Sequence, residues 1–123
     1  MILNQEGLSV RERELAILAV ASAYETPFIK YAHSRVALAS GLENDQIEQA
    51  CTGQSPDRIT DAEAAVYGLS LELALTRTIL EEGSWKRYEK VLGKEKCLRV
   101  AHVSGLYMYN ASFLRLANLQ APA

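Results

Sequence analysis

Apolar and polar positions alternate with helical period along most of this chain, and in one place apolar residues fill nearly every position. That place is Leu15-Ala-Ile-Leu-Ala-Val-Ala-Ser-Ala23. A helix there is too apolar for a surface helix and should be buried nearly all round. Ser9-Val-Arg-Glu12 just before it fits a capping box, with Ser9 as cap and Glu12 reaching back. The first helix is predicted to run to about Tyr24.

Thr26-Pro27 then reads as an N-cap with proline at the first helical position. The second helix runs to about Ser40, and Gly41 stops it. Its face Ile29, Ala32, His33, Val36 and Ala37 is small and apolar around one imidazole. Asn44 is read as the cap of a short third helix, Asp45 to Thr52, ended by Gly53. Gly53 to Ile59 is a loop by composition. Thr60-Asp-Ala-Glu63 repeats the capping box and opens a fourth helix to about Leu80. Ser84 is read as the cap of a fifth helix, anchored by Trp85 and ending at Gly93. A sixth runs from about Lys94 to Leu119, with Pro122 closing the chain. Gly105 inside it costs about 1 kcal/mol relative to alanine and is expected where another backbone comes close. No strand or hairpin signal interrupts the series. The expectation is an all-α fold of about six helices in one domain over residues 1–123, with 1–7 a short lead-in.

Composition narrows the partners. Apolar residues make up 49% of 123, enough for a core without disulfides or a structural metal. The net charge of −2, the lack of a basic run and the few aromatics speak against nucleic acid. No stretch reaches the roughly eighteen apolar residues of a membrane span, and the N-terminus is not a secretory signal. A cytoplasmic protein is expected. Cys51 and Cys97 stand in no metal or redox spacing and read as small buried residues. Two histidines so far apart, His33 and His102, offer no metal cluster. His102, among Val100, Ala101 and Val103, reads as a core or interface residue.

The candidate chemistry lies in the first hairpin. Glu14 opens the apolar helix, and His33 follows nineteen residues later on the second helix. At about 1.5 Å of rise per residue their levels differ by roughly one turn, so the two can hydrogen-bond across an antiparallel pair. A buried carboxylate needs such a partner. The pair can serve as an acid/base site. Alternatively it ties two helices together, or Glu14 pairs with Arg11 or Arg13.

Several segments together resemble the carboxymuconolactone decarboxylase and alkyl hydroperoxidase D superfamily. They are Leu8-Ser-Val-Arg-Glu-Arg-Glu-Leu-Ala-Ile-Leu18, Tyr31-Ala-His33, Ala37 with Gly41-Leu42, Ile59-Thr-Asp-Ala-Glu63 with Tyr67, Leu92-Gly93 and Gly105-Leu-Tyr107. The resemblance implies an alkyl hydroperoxidase D-like helical bundle, with symmetric trimers or hexamers whose sites lie near subunit contacts. In the peroxidase branch the glutamate is followed by a Cys-x-x-Cys pair and then the histidine. Counted from Glu14, those cysteines fall on Thr26 and Ile29, and the histidine on His33. Thiol–disulfide exchange needs one thiolate to attack and another thiol to resolve, so that activity is disfavoured. Decarboxylase-like members carry Tyr-Glu-Trp-Tyr-Ala-His where this chain has Phe28-Ile-Lys-Tyr-Ala-His33. Ile29 replaces the hallmark glutamate and Lys30 the tryptophan, which puts the native lactone in doubt as substrate.

What the resemblance implies chemically is a decarboxylase-like enzyme that needs no cofactor or metal. It would act on a small oxygenated organic acid or lactone that supplies its own electron sink. His33 would return a proton to carbon, with Glu14 fixing its tautomer. Tyr31 and Tyr107 are candidate donors to substrate oxygens, and Ile29 lines the site. Lys30, if it points inward, favours an anionic substrate. The alternatives are a proton-transfer isomerase or cyclase on the same scaffold, and a non-catalytic oligomeric binding protein.

Overall fold

In a computed structural model the described residues are 7–117, and they form six α-helices and no strand. The helices are α1 (Val10–Tyr24), α2 (Pro27–Ala39), α3 (Asn44–Cys51), α4 (Asp61–Leu75), α5 (Glu82–Leu92) and α6 (Lys94–Ala117). None is long and apolar enough to cross a membrane. Residues 1–6 of the expected lead-in lie outside the described residues, as do the last helix's expected end at Leu119 and Pro122.

α1 is the central helix. It packs against α2, α3, α4 and α6, and every residue from Leu15 to Ala21 is buried. Its two sides seed two cores. Ala16, Ile17 and Ala21 meet Val66 and Leu69 of α4 and Val100 and Val103 of α6. Leu15, Leu18 and Ala19 meet Ala37, Leu42, Ile47 and Tyr67. Each fully buried leucine or isoleucine contributes about 1.5–3 kcal/mol, so α1 alone accounts for much of the apolar stabilisation.

Among the described residues, the buried side-chain polar groups are paired, apart from the Thr26 hydroxyl. Ser70 donates to the Ala16 carbonyl at 2.7 Å and meets Ser104 at 2.7 Å, which joins α1, α4 and α6 through hydroxyls. Tyr67 donates to the Ala50 carbonyl at 2.7 Å. Both predicted capping boxes are present, at Ser9/Glu12 and Thr60/Glu63. Their glutamates also reach across the fold: Glu63 accepts from Arg11 at 2.8 Å and Glu12 from Lys96 at 2.7 Å.

Several boundaries differ from the sequence expectation. α4 stops at Leu75, where Thr76 turns to φ −101°, ψ 132°. The Thr76-Arg-Thr-Ile79 segment is rich in β-branched residues, which resist helix, but it holds no Gly or Pro to mark the stop. α5 is capped by Glu81, so Ser84 lies inside the helix. The cap of α3 is Glu43, whose N–H donates to the Gln46 side chain at 2.8 Å, and Asn44 is the first helical residue. Gly105 has nothing within 4 Å of where a Cβ would stand, so close backbone approach does not explain it within one chain. His102 is exposed rather than part of the core of this chain.

Candidate functional site

The α1–α2 hairpin brings Glu14 and His33 together. Glu14 Oε1 and His33 Nδ1 are 2.7 Å apart. The other carboxylate oxygen, Oε2, accepts from Arg13 Nε at 2.9 Å. Glu14 is 1% exposed, and such a buried carboxylate is tolerable only with partners of this kind. Both partners suggested by the sequence, the imidazole and an arginine, are therefore used at once. Arg11 is engaged elsewhere, on Glu63.

This arrangement orients the ring. A carboxylate only accepts, so Nδ1 donates to Glu14 and the neutral imidazole keeps its lone pair on Nε2. Nε2 has no hydrogen-bond partner among the described residues. On its flank, His33 meets Tyr107 of α6 edge-on.

His33 also borders open space. A hollow of about 440 Å³ lies between α2 and α6. α2 supplies Phe28, Ile29, Ala32 and His33, at the spacing of one helical face. α6 supplies Tyr107, Asn110, Phe113 and Leu114. This is the size of a small-molecule site, mostly apolar with a few polar groups. The Tyr107 hydroxyl and the Asn110 amide have no hydrogen-bond partners among the described residues. Burial, and then the Glu14 charge, push the Tyr107 phenol above its usual pKa, so it stays a neutral donor.

The sequence-predicted residues divide cleanly. Glu14, His33, Ile29 and Tyr107 assemble at one place. Lys30 does not point into the hollow; its ammonium sits 3.2 Å from Glu25 at the start of the hairpin. Tyr31 is 41% exposed, does not line the hollow, and lies beneath the Arg35 guanidinium at 5.8 Å. Thr26 caps α2 without a side-chain bond, and its buried hydroxyl has no partner among the described residues. Asn110 and Phe113 were missed. The signal for Asn110 was present, since Tyr107, Asn110 and Leu114 stand at i, i+3 and i+7, but α6 is apolar on several sides and no single face stood out.

The two cysteines belong to different cores. Cys97 is buried in one, and Cys51 packs at the edge of the other. Both are free. Among the described residues no group of histidine, cysteine and carboxylate is arranged to hold a metal.

The family model described as the carboxymuconolactone decarboxylase family matches residues 1–71. That stretch is more than half of the chain and contains Glu14, the α1–α2 hairpin and His33. The chain belongs to the carboxymuconolactone decarboxylase family. Its six helices are consistent with the alkyl hydroperoxidase D-like fold expected from the sequence. The match covers the α2 wall of the hollow and ends before α6, which supplies the other wall. No curated protein and no solved structure matches the chain.

Proposed function

We propose that this member of the carboxymuconolactone decarboxylase family is a cofactor-independent acid/base enzyme. It moves a proton at a carbon next to a carbonyl group of a small oxygenated substrate. The observation that carries this reading is the 2.7 Å contact between His33 Nδ1 and the buried Glu14 carboxylate, with His33 bordering a substrate-sized hollow. A histidine held this way has a fixed tautomer and one free basic nitrogen.

Two reactions use that machinery. In a decarboxylation, loss of CO2 from a lactone acid leaves an electron pair delocalised into the ring carbonyl, and His33 delivers a proton to carbon. In an isomerisation or cyclisation, His33 takes the proton from one carbon and returns it to another. Both need the carbonyl oxygen stabilised as charge develops on it, and Tyr107 is placed to help. A thiol peroxidase is disfavoured, because Thr26 and Ile29 stand where that chemistry needs cysteines. Two free thiols suit a reducing, intracellular compartment. The active form is a homo-oligomer, on grounds argued below.

The test is solvent exchange. The protein is incubated in D2O with a panel of small lactones, enones and their acids, and deuterium entering carbon is followed by NMR. Exchange with wild type that falls by about 10²–10⁴-fold in His33→Gln supports the reading. Equal exchange by the folded variant and wild type would remove His33 from the chemistry.

A further inference from the structure

The charges around the hollow bear on the charge of the substrate it takes. None of the eight described residues that line it is a lysine or arginine. The neighbouring cations are directed elsewhere. Lys30 is on Glu25, Arg13 is on Glu14, and Arg35 lies over Tyr31. Arg115 of α6 lies over Tyr24, 5.3 Å from its ring centre. The charged group behind His33 is the Glu14 carboxylate.

A substrate carboxylate entering here would lose water and find no unpaired cation lining the hollow among the described residues, since Arg13, whose charge reaches Tyr107, is already held by Glu14. Moving a carboxylate into such a place without a paired charge is costly. If His33 protonated to hold it, Nε2 could deliver a proton to carbon but could not first take one, so isomerisation would be closed to an acid held that way. An uncharged carbonyl compound meets neither obstacle. It needs a neutral donor, and α6 offers two, the Tyr107 hydroxyl and the Asn110 amide. Asn110 lies one helical turn beyond Tyr107 on α6, roughly 4.5 Å along the axis. Tyr107 is the residue His33 touches edge-on. A small ring can therefore place a carbon against His33 and its carbonyl oxygen against Asn110.

We propose that the hollow selects an uncharged, mainly apolar carbonyl compound of the lactone or cyclic-enone class, with the Asn110 side-chain amide as the donor to its carbonyl oxygen. This rests on the acid/base reading above and narrows it to isomerisation. His33 Nε2 takes a proton from the carbon beside the carbonyl. The C–H electron pair becomes the enolate double bond, and the carbonyl π pair moves onto the oxygen held by Asn110. The imidazolium then returns the proton to the far carbon of the conjugated system. No oxidant, reductant or second substrate is consumed.

The experiment compares an uncharged butenolide with the same ring bearing a carboxylate, using the full chain. Binding is read from the His33 ring signals by NMR, and turnover from deuterium exchange. The uncharged ring is expected to shift the His33 signals and to bind at least about tenfold more tightly than the acid. Asn110→Leu and Asn110→Ser are each expected to weaken it by about tenfold, the loss of one hydrogen bond, with the unliganded His33 signals unchanged. Preference for the acid would overturn this inference and leave the acid/base reading standing. Undiminished binding by both folded Asn110 variants would remove Asn110 from recognition. If neither ring moved the His33 signals, both readings would fall together.

Discussion

The ring of His33 stands edge-on to that of Tyr107, centroids 5.1 Å apart and planes at 86°. The contact bridges α2 and α6 beside the hollow and leaves the Tyr107 hydroxyl without a protein partner among the described residues. Edge-to-face pairs contribute about 0.5–1.5 kcal/mol beyond the area they bury. Tyr107→Phe keeps the ring contact and removes the hydroxyl. Thermal stability should therefore hold while deuterium exchange into substrate falls by about tenfold. Tyr107→Ala should lose both. Unchanged exchange in Tyr107→Phe would show that the hydroxyl does not touch substrate.

Glu14 joins the fold to the chemistry. Its carboxylate is buried between Arg13 and His33. Glu14→Ala removes the acceptor and leaves Arg13 and His33 without it, a change that costs about 3–5 kcal/mol where a buried pair is broken. Glu14→Gln keeps an oxygen near Nδ1 and should be milder in urea denaturation. Its exchange activity should still fall, because a neutral amide stabilises an imidazolium less well than a carboxylate does. An alanine variant as stable as wild type would place Glu14 outside the architecture described.

Acid sensitivity should trace to Glu63. Burial alone would raise its pKa, but the Thr60 N–H and the Arg11 guanidinium hold it below the usual value in the folded chain. A carboxyl with a lowered folded pKa stabilises fully above its unfolded pKa, and that contribution fades as pH falls toward the folded one. Stability measured by denaturant should therefore decline from the ordinary glutamate range downward. Glu63→Gln should be less stable at neutral pH and show a shallower decline. A parallel decline in both proteins would assign the acid sensitivity to other carboxylates.

Much of this was legible in the chain because local chemistry and tertiary packing agree. Ser9/Glu12 and Thr60/Glu63 announce two helix starts, and the continuous apolar run of α1 announces a central helix. The meeting of Glu14 with His33 followed from counting residues across one short turn. Boundaries without a breaker were harder. α4 ends at Thr76, with no Gly or Pro near, and α5 begins at a glutamate that looks like any surface residue. Lys30 and Tyr31 are next to the site in sequence but not in space, because adjacent residues on a helix point about 100° apart. Asn110 is the reverse case. It joins the site because α1 holds α2 and α6 on either side of the hollow, and its spacing from Tyr107 marks a face of α6 without showing what that face meets.

Assembly supplies the remaining prediction. α6 has 24 residues, yet only Cys97, Val100, Val103, Ser104 and Ala111 are fully buried in it. Tyr109, Phe113 and Leu116 are 62%, 57% and 86% exposed. They stand at i, i+4 and i+7, a single stripe, and Gly105 continues it one turn earlier. α2 adds exposed Tyr31, Val36 and Leu38. Apolar exposure on this scale marks a surface that meets another protein. A stripe along one helix suits a symmetric contact with a second copy, and a small residue at Gly105 suits close approach there. The family resemblance implies trimers or hexamers, so light scattering on a sizing column should give three or six times 13.6 kDa. Leu116→Glu should shift that mass toward the monomer. Gly105→Ala discriminates further. In an isolated helix it should raise stability by about 1 kcal/mol, whereas under a packed neighbour it should weaken the oligomer. A monomeric wild type stabilised by Gly105→Ala would refute the assembly and leave the stripe as ordinary surface.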